Sequence, residues 1–396
     1  MRILSVLTYY RPHTSGLTIY AERLARALVR RGHQVTVMTT QYDRSLACEE
    51  IMDDVRVIRV PVALRISKGV LAPTFGFVAT TLVSQHDVVQ MHLPQFDAPG
   101  IALRARLFHR PSVLTYHCDL HLPPGIFNRL VNLVVKFQNN MAGLLSDLIV
   151  TYTQDYADHS SYLSRYKHKM HPILPPVALP PAERGAVASF AERHQVAERR
   201  PVIGMVTRFA AEKGVEILLE ALPVVLEKYP KAQVLFAGQF QNVLGEGVYH
   251  DHLMPFIRKF ESTKHWIFLG NLDPLQLSAY YPNIDILVVP SLNSTEAFGL
   301  VQIEAMMNNV PCVASDLPGV RQPVMMTGMG KIVSIGDAEA LARAILEILA
   351  EPKKYLRDPA EIARPFDPDT TAVKYEELFE KLMKGKRAVD HDRFTG

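Results

Sequence analysis

The chain has 396 residues, 48% hydrophobic and 21% charged, with a formal net charge of +3. That length asks for two domains rather than one core, and so small a net charge argues against a dedicated nucleic-acid binder. The charge is uneven. Residues 1–184 carry 20 Lys+Arg against 13 Asp+Glu, a surplus of +7 that suits an anionic partner such as phospholipid headgroups and equally a chance imbalance of the surface, while the remainder stands at −4.

Cys48, Cys118 and Cys312 are far apart with no CxxC pairing, which suits a reducing cytosol and offers no zinc site. The opening MRILSVLTYY is not built as a signal peptide. The longest uncharged run, Gly69 to Gln85, is broken by Pro73 and Gly76 and is too short to span a bilayer. The expectation is a cytoplasmic protein, soluble or peripheral at the inner face of the membrane.

In chain order, RILSVL reads as a strand, a helix follows near 16–31, and QVTVMTT is a second strand. On the helix, Ile19, Leu24 and Leu28 share a side with nearby alanines, Glu22, Arg23, Arg26 and Arg30 lie elsewhere, and Gly32 ends it. DVVQMHL, SVLTYHCD and DLIVTYT follow, separated by helix-length segments. Continuous apolar strands between helices predict a parallel sheet covered on both faces. The helix 126–145 is apolar but carries Arg129 and Lys136, so it either lies at a bilayer surface or packs in a core.

Around 172–184 the chain reads PILPPVALPPAER, a stiff extended connector. The alternation then restarts with PVIGMVTRF, a helix from about 213 to 228, AQVLFAG, KHWIFLG, DILVVPS, PCVAS and GKIVSI. A final helix, roughly 369–385, follows RPFDP. The predicted division is 1–171, a linker region 172–200, 201–365, and a C-terminal helix 366–396 crossing back to the first domain. Two doubly wound sheets of this kind bind ligands at the C-terminal ends of their strands.

Two segments carry chemistry. In VTRFAAEKGVEILLEAL, Arg208 ends a strand and Lys213 opens the next helix, so both cations and the helix N-terminus can converge on a diphosphate. Taken alone, they read as readily as solvated loop charges. In STEAFGLVQIEAM, Glu296 precedes a helix expected to start near Phe298 or Gly299, and Glu304 stands inside it beside Ile303 and Ala305. A carboxylate next to a core-facing stretch is costly unless paired or hydrogen-bonded. Ribose hydroxyls are suitable donors for it, and a solvated helix face is the plain alternative.

These segments, with RILSVLTYYRPHTSGLTIYAERLARALVRRGHQVTVMT and PCVASDLPGVRQ, lie in the order and spacing of a known family. The chain resembles the group 1 glycosyltransferases, the retaining family with the GT-B fold and the glutamate–seven–glutamate motif. The resemblance implies two Rossmann-like domains facing a cleft and a transfer from a UDP- or GDP-sugar to a hydroxyl of a lipid or glycan, with neither cofactor nor metal. By the same resemblance, Glu304 holds the ribose and Arg208 and Lys213 neutralise the diphosphate. Glu296 with the backbone of Ala297, Phe298, Gly299 and Leu300 holds the sugar, Gly16 approaches the phosphates, and the backbone near Gly270 meets the base. His117, at a strand end in LTYHCDL, would lie near the reacting sugar; Asp119 is a candidate for acceptor binding or proton acceptance. Tyr9, Tyr10, Arg11 and His13 form a candidate acceptor rim. In HTSGLTIY, Ser15 stands where the family more often has a second glycine. The missing G-x-G-x-x-G disfavours a Rossmann oxidoreductase. A GT-B sugar-nucleotide epimerase and a noncatalytic nucleotide-sugar-binding subunit are the rival readings.

Overall fold

The structure is a computed structural model describing residues 1–66, 69–120 and 126–395. It divides into two compact units, residues 1–176 with 366–396, and residues 177–365.

The first unit is built on β1 (Arg2–Val6), β2 (Gln34–Gln41), β3 (Glu49–Met52), β4 (Val55–Pro61), a small pair β5 (Leu64–Ile66) and β6 (Gly69–Leu71), β7 (Val88–Leu93), β8 (Ser112–Tyr116), β9 (Leu148–Thr151) and β10 (Met170–Pro172). Among the described residues, eight of these form one sheet in the order β10-β9-β8-β7-β1-β2-β4-β3, parallel except for the β3–β4 hairpin. VVQMHL and SVLTY are buried along their whole length, as strands covered on both faces must be. Helices α1 (Gly16–Arg30), α2 (Phe75–Gln85), α3 (Ala98–Leu107), α4 (Ile126–Leu145) and α5 (Gln154–His159) make the connections. The strand order runs both ways from β1, so right-handed crossovers put α1 on one face and α2, α3 and α4 on the other.

The second unit begins with α6 (Arg184–Arg193), where the sequence predicted linker. Its Phe190 is buried against Tyr280, which makes this stretch part of a core. The sheet comprises β11 (Val202–Val206), β12 (Gln233–Ala237), β13 (Trp266–Gly270), β14 (Ile286–Val289), β15 (Cys312–Ser315) and β16 (Gly330–Val333), in the order β13-β12-β11-β14-β15-β16 and all parallel. Helices α7 (Val215–Lys228), α8 (Gly247–Ser262), α9 (Pro274–Tyr280), α10 (Leu300–Met306), α11 (Gln322–Thr327), α12 (Ala338–Ala350) and α13 (Pro359–Ala363) complete it. Leu218, Leu222 and Val225 of α7 and Leu341, Ile345 and Ile348 of α12 are buried in one core. Each contributes roughly 1.5–3 kcal/mol.

The last helix, α14 (Pro368–Thr395), returns to the first unit and packs on α1. Tyr375 and Phe379 are fully buried. The Tyr375 hydroxyl bonds to that of Tyr20 at 2.8 Å and of Thr115 at 2.9 Å, and Thr371 Oγ1 donates to the Leu174 carbonyl at 3.1 Å. Outside this core Arg30 meets Asp369, and Arg31 and His33 meet Glu376. Among the described residues no helix is long and apolar enough to cross a membrane.

Candidate active site

In the second sheet the order reverses between β11 and β14. The loops leaving those two strands diverge and leave a crevice where ligands bind in open α/β sheets. The loop after β11 carries Arg208 and Lys213; the loop after β14 carries Glu296 and ends at α10. A small cavity there is lined by Thr207, Lys213, Pro290, Ser291, Glu296 and Val301.

Lys213 closes a short 3₁₀ turn, and Gly214 follows with φ 66°. A Cβ at Gly214 would stand 2.1 Å from the Pro290 carbonyl oxygen, so glycine alone lets the β11 loop sit against the β14 loop. This approach brings Lys213 Nζ to 2.6 Å from Glu296 Oε2. Glu296 Oε1 accepts the Gly299 N–H at 2.9 Å. Burial would raise the Glu296 carboxyl, but the Lys213 ammonium, with the Gly299 and Phe298 amides, holds it below the usual carboxylate range.

Here the geometry corrects the expectation. Helix α10 starts at Leu300, with Gly299 as its N-cap at φ 77°. Ala297, Phe298 and Gly299 are buried, and the amides of Phe298 and Gly299 hold the Glu296 carboxylate rather than facing outward together. Both cations are likewise matched: Arg208 pairs with Glu212 and lies 4.0 Å from Glu246. The two cations thus stand among three carboxylates, Glu212, Glu246 and Glu296. Glu212 was legible four residues after Arg208 in TRFAAEKG; Glu246, distant in sequence, was not.

Glu304 is buried in the second turn of α10, and the Tyr281 hydroxyl donates to its Oε2 at 2.9 Å. The structure thus excludes the solvated-face alternative and supplies a partner the sequence did not reveal. Gly270 ends β13 with φ 70°, two strands from β11, and its carbonyl accepts the Gly238 N–H at 2.7 Å. It is not gathered with the charged cluster.

In the first unit the order reverses at β1, between β7 and β2. Gly16 is the first residue of α1, with open space around it. Ser15, the departure from the glycine pair, is the N-cap: its Oγ accepts the Thr18 N–H at 3.2 Å. Tyr9 and His13 stack at 4.8 Å, with Tyr42 edge-on to both. Tyr10 does not belong to such a rim, because it is buried in the core. Arg11 pairs with Glu22 at 3.1 Å. The Asp119 carboxylate accepts from Tyr116 and Ser160, both at 2.8 Å, so it is anchored by the fold.

His117 ends β8 and is buried, with both ring nitrogens engaged inside the protein. Nε2 meets His92 Nδ1 at 2.8 Å, Nδ1 meets the Tyr152 hydroxyl, and His92 Nε2 meets Ser5 Oγ at 3.0 Å. With Tyr152 donating, each imidazole N–H points to the next acceptor in one direction. Of the two contacts expected near the sugar, by ring or by main chain, the ring nitrogens are already taken up inside the protein. Burial, with His92 adjacent, holds His117 well below the ordinary histidine range, and burial lowers His92 to about 3. Both stay neutral at pH 7. The unfolded chain takes up protons on them below about pH 6.5 and the folded one does not, so folding is destabilised as pH falls from there toward 3. Chemical denaturation between pH 7.5 and 5 is expected to show a steeper loss in the native protein than in a His92→Asn/His117→Asn variant, by up to ~1.4 kcal/mol per pH unit per histidine.

Each unit carries its own Rossmann-type sheet, and solved structures match nearly the whole chain. HepE from Anabaena in complex with UDP and glucose superposes with TM-score 0.75 at 17% identity, covering 96% of this chain and 99% of that one. Sucrose-phosphate synthase from Thermosynechococcus elongatus gives 0.74 at 20%, covering 97% and 99%. Both show the GT-B fold. The family described as "Glycosyl transferases group 1" matches residues 188–365, and "Glycosyl transferase 4-like domain" matches 15–175. The chain belongs to the group 1 glycosyltransferases and is a hexosyltransferase-type enzyme. Among relatives, a Mycobacterium tuberculosis glycogen synthase is 27% identical over 98% of this chain and 96% of its own length. A Mycobacterium leprae phosphatidyl-myo-inositol mannosyltransferase is 25% identical over 96% and 97%.

Proposed function

We propose that the second unit binds a UDP- or GDP-sugar and that the enzyme passes the sugar to a hydroxyl of a lipid or glycan, with retention of configuration and without a divalent metal. The reading rests on one observation: Arg208, Lys213, Glu296 and Gly299 all lie on the two loops that flank the second sheet's switch point. Relatives named as phosphatidylinositol and GDP-mannose-dependent mannosyltransferases favour a lipid acceptor and a place in glycolipid synthesis, reached from the membrane surface.

The diphosphate enters as an anion and takes Arg208 from Glu212 and shares Lys213 with Glu296. As the sugar–phosphate bond breaks, negative charge gathers on the leaving oxygen, and the two cations hold it more strongly than in the ground state. The acceptor hydroxyl forms the new bond on the same face, and its proton passes to the departing phosphate oxygen. Glu304 takes the ribose hydroxyls while Tyr281 fixes its carboxylate. The first unit supplies the acceptor side, with Tyr9 and His13 as its aromatic wall and His117 acting through its main chain.

Thermal shift with UDP and GDP tests the donor site, and product anomer analysis tests retention. Stabilisation by neither nucleotide overturns the proposal. Turnover is expected to persist in EDTA, and loss that magnesium or manganese restores would overturn the metal-free mechanism. Glu304→Gln, which keeps an acceptor for Tyr281, is expected to weaken nucleoside diphosphate affinity by ~1.5–3 kcal/mol through loss of a charge-assisted bond. Calorimetry with the matching nucleotide measures it.

A further inference from the structure

Helices α2, α3 and α4 form one layer on the first sheet, with α3 against both neighbours. Arg104 ties α3 to α2: its Nε donates to Thr80 Oγ1 and its Nη1 to the Gly100 carbonyl of its own helix, both at 2.8 Å. A Cβ at Gly76 would stand 2.9 Å from its Nη2. The outer side of this layer exposes large apolar side chains. Phe77 is 80% exposed, Leu107 67%, Leu133 65% and Phe137 62%. Yet these helices are not featureless grease, because Arg106, Arg129 and Lys136 are exposed among those side chains.

The charge is one-sided. FGFVATTLVSQ, APGIALRARL and IFNRLVNLVVKFQNNMAGLL hold four cations and no carboxylate, although Asp and Glu number 40 in the chain. A protein-binding face carries a polar rim about an apolar core, whereas every charge on these three helices is cationic. Large apolar side chains interleaved with lysine and arginine, and no acid, match the boundary between anionic headgroups and acyl chains. Leu133, Phe137 and Phe77 have the reach to enter the acyl boundary, while Arg106, Arg129 and Lys136 reach the phosphates.

We propose that the α2–α3–α4 face docks the protein onto an anionic lipid bilayer. This rests on the lipid-acceptor reading for its purpose, but it is measured without sugar transfer. The full chain is floated with phosphatidylcholine vesicles, with and without phosphatidylglycerol. Binding to the anionic vesicles, weakened by salt, is expected, with little to neutral ones. Arg129→Glu/Lys136→Glu should weaken partitioning by more than roughly twentyfold, since each basic residue is worth about fivefold. Leu133→Ser/Phe137→Ser should weaken it at least as much. Both pairs are exposed, so the thermal midpoint and the shift with UDP or GDP should persist in them. Absence of vesicle binding, binding that both variants retain, or a dimer in solution that Leu133→Ser/Phe137→Ser dissolves without vesicle binding overturns the proposal. A missing nucleotide shift with intact vesicle binding instead overturns the donor reading.

Discussion

Lys213→Ala is expected to lower kcat by about two to three orders of magnitude while changing the donor KM little, the size seen when one preorganised charge is removed from a developing anion. Lys213 is mostly buried and its ammonium sits 2.6 Å from Glu296. That position is set by Gly214, whose φ of 66° and contact with Pro290 leave no room for a side chain. Removing the ammonium also strands a half-buried carboxylate, so part of the loss belongs to Glu296. Lys213→Ala/Glu296→Gln separates the two: a double variant as slow as the single one assigns the loss to the missing cation. Arg208→Ala should behave alike but less severely, because Glu212 and Glu246 already share it. A change confined to KM in either variant would remove the transition-state role.

Truncation before Asp367 is expected to abolish stable folding of the first unit. The deletion removes buried Ala372, Tyr375, Leu378 and Phe379 and uncovers α1 beneath them. At roughly 1.5–3 kcal/mol for each large side chain, the loss approaches the ~5–15 kcal/mol that holds a domain together. The surface pairs Arg30–Asp369 and Arg31–Glu376 add little, since exposed pairs are worth ~0–1 kcal/mol. Tyr375→Phe is the finer probe. It keeps the ring and strands the hydroxyls of Tyr20 and Thr115, and should cost ~1–3 kcal/mol in denaturant unfolding. A truncated protein with native near-ultraviolet dichroism would show the helix to be dispensable.

The buried strands were legible because they are continuous apolar runs: RILSVL, DVVQMHL, DILVVPS and PCVAS each became β1, β7, β14 and β15. The hairpin of β3 and β4 was not. EEIM shows no polar–apolar alternation and lies at an edge, and its turn places Asp53 and Asp54 at φ 48° and 61° without a glycine to mark it. Helix α6 hid behind the prolines before it, since nothing local shows that Phe190 finds Tyr280. The same division holds at the site. Arg208, Lys213, Glu296 and Glu304 stand out because a charge beside a strand end or a core face needs explaining. Their partners Glu246 and Tyr281 do not, and neither does the chain Ser5–His92–His117–Tyr152, whose members are ordinary until the fold joins positions 87, 25 and 35 residues apart.

The return of α14 to the first unit also sets a schedule. During synthesis, residues 177–365 emerge as an unbroken segment with every strand of their own sheet, whereas residues 1–176 lack α14 until the segment after Pro365 has followed. The usual vectorial order, N-terminal domain first, is therefore inverted: the part translated earliest is the part completed last. Until then α1 presents an uncovered apolar stripe, with Tyr20 and Thr115 lacking Tyr375. A nascent chain halted just before Pro368, with residues 177–365 already emerged, would be a natural client for chaperones through its first unit alone.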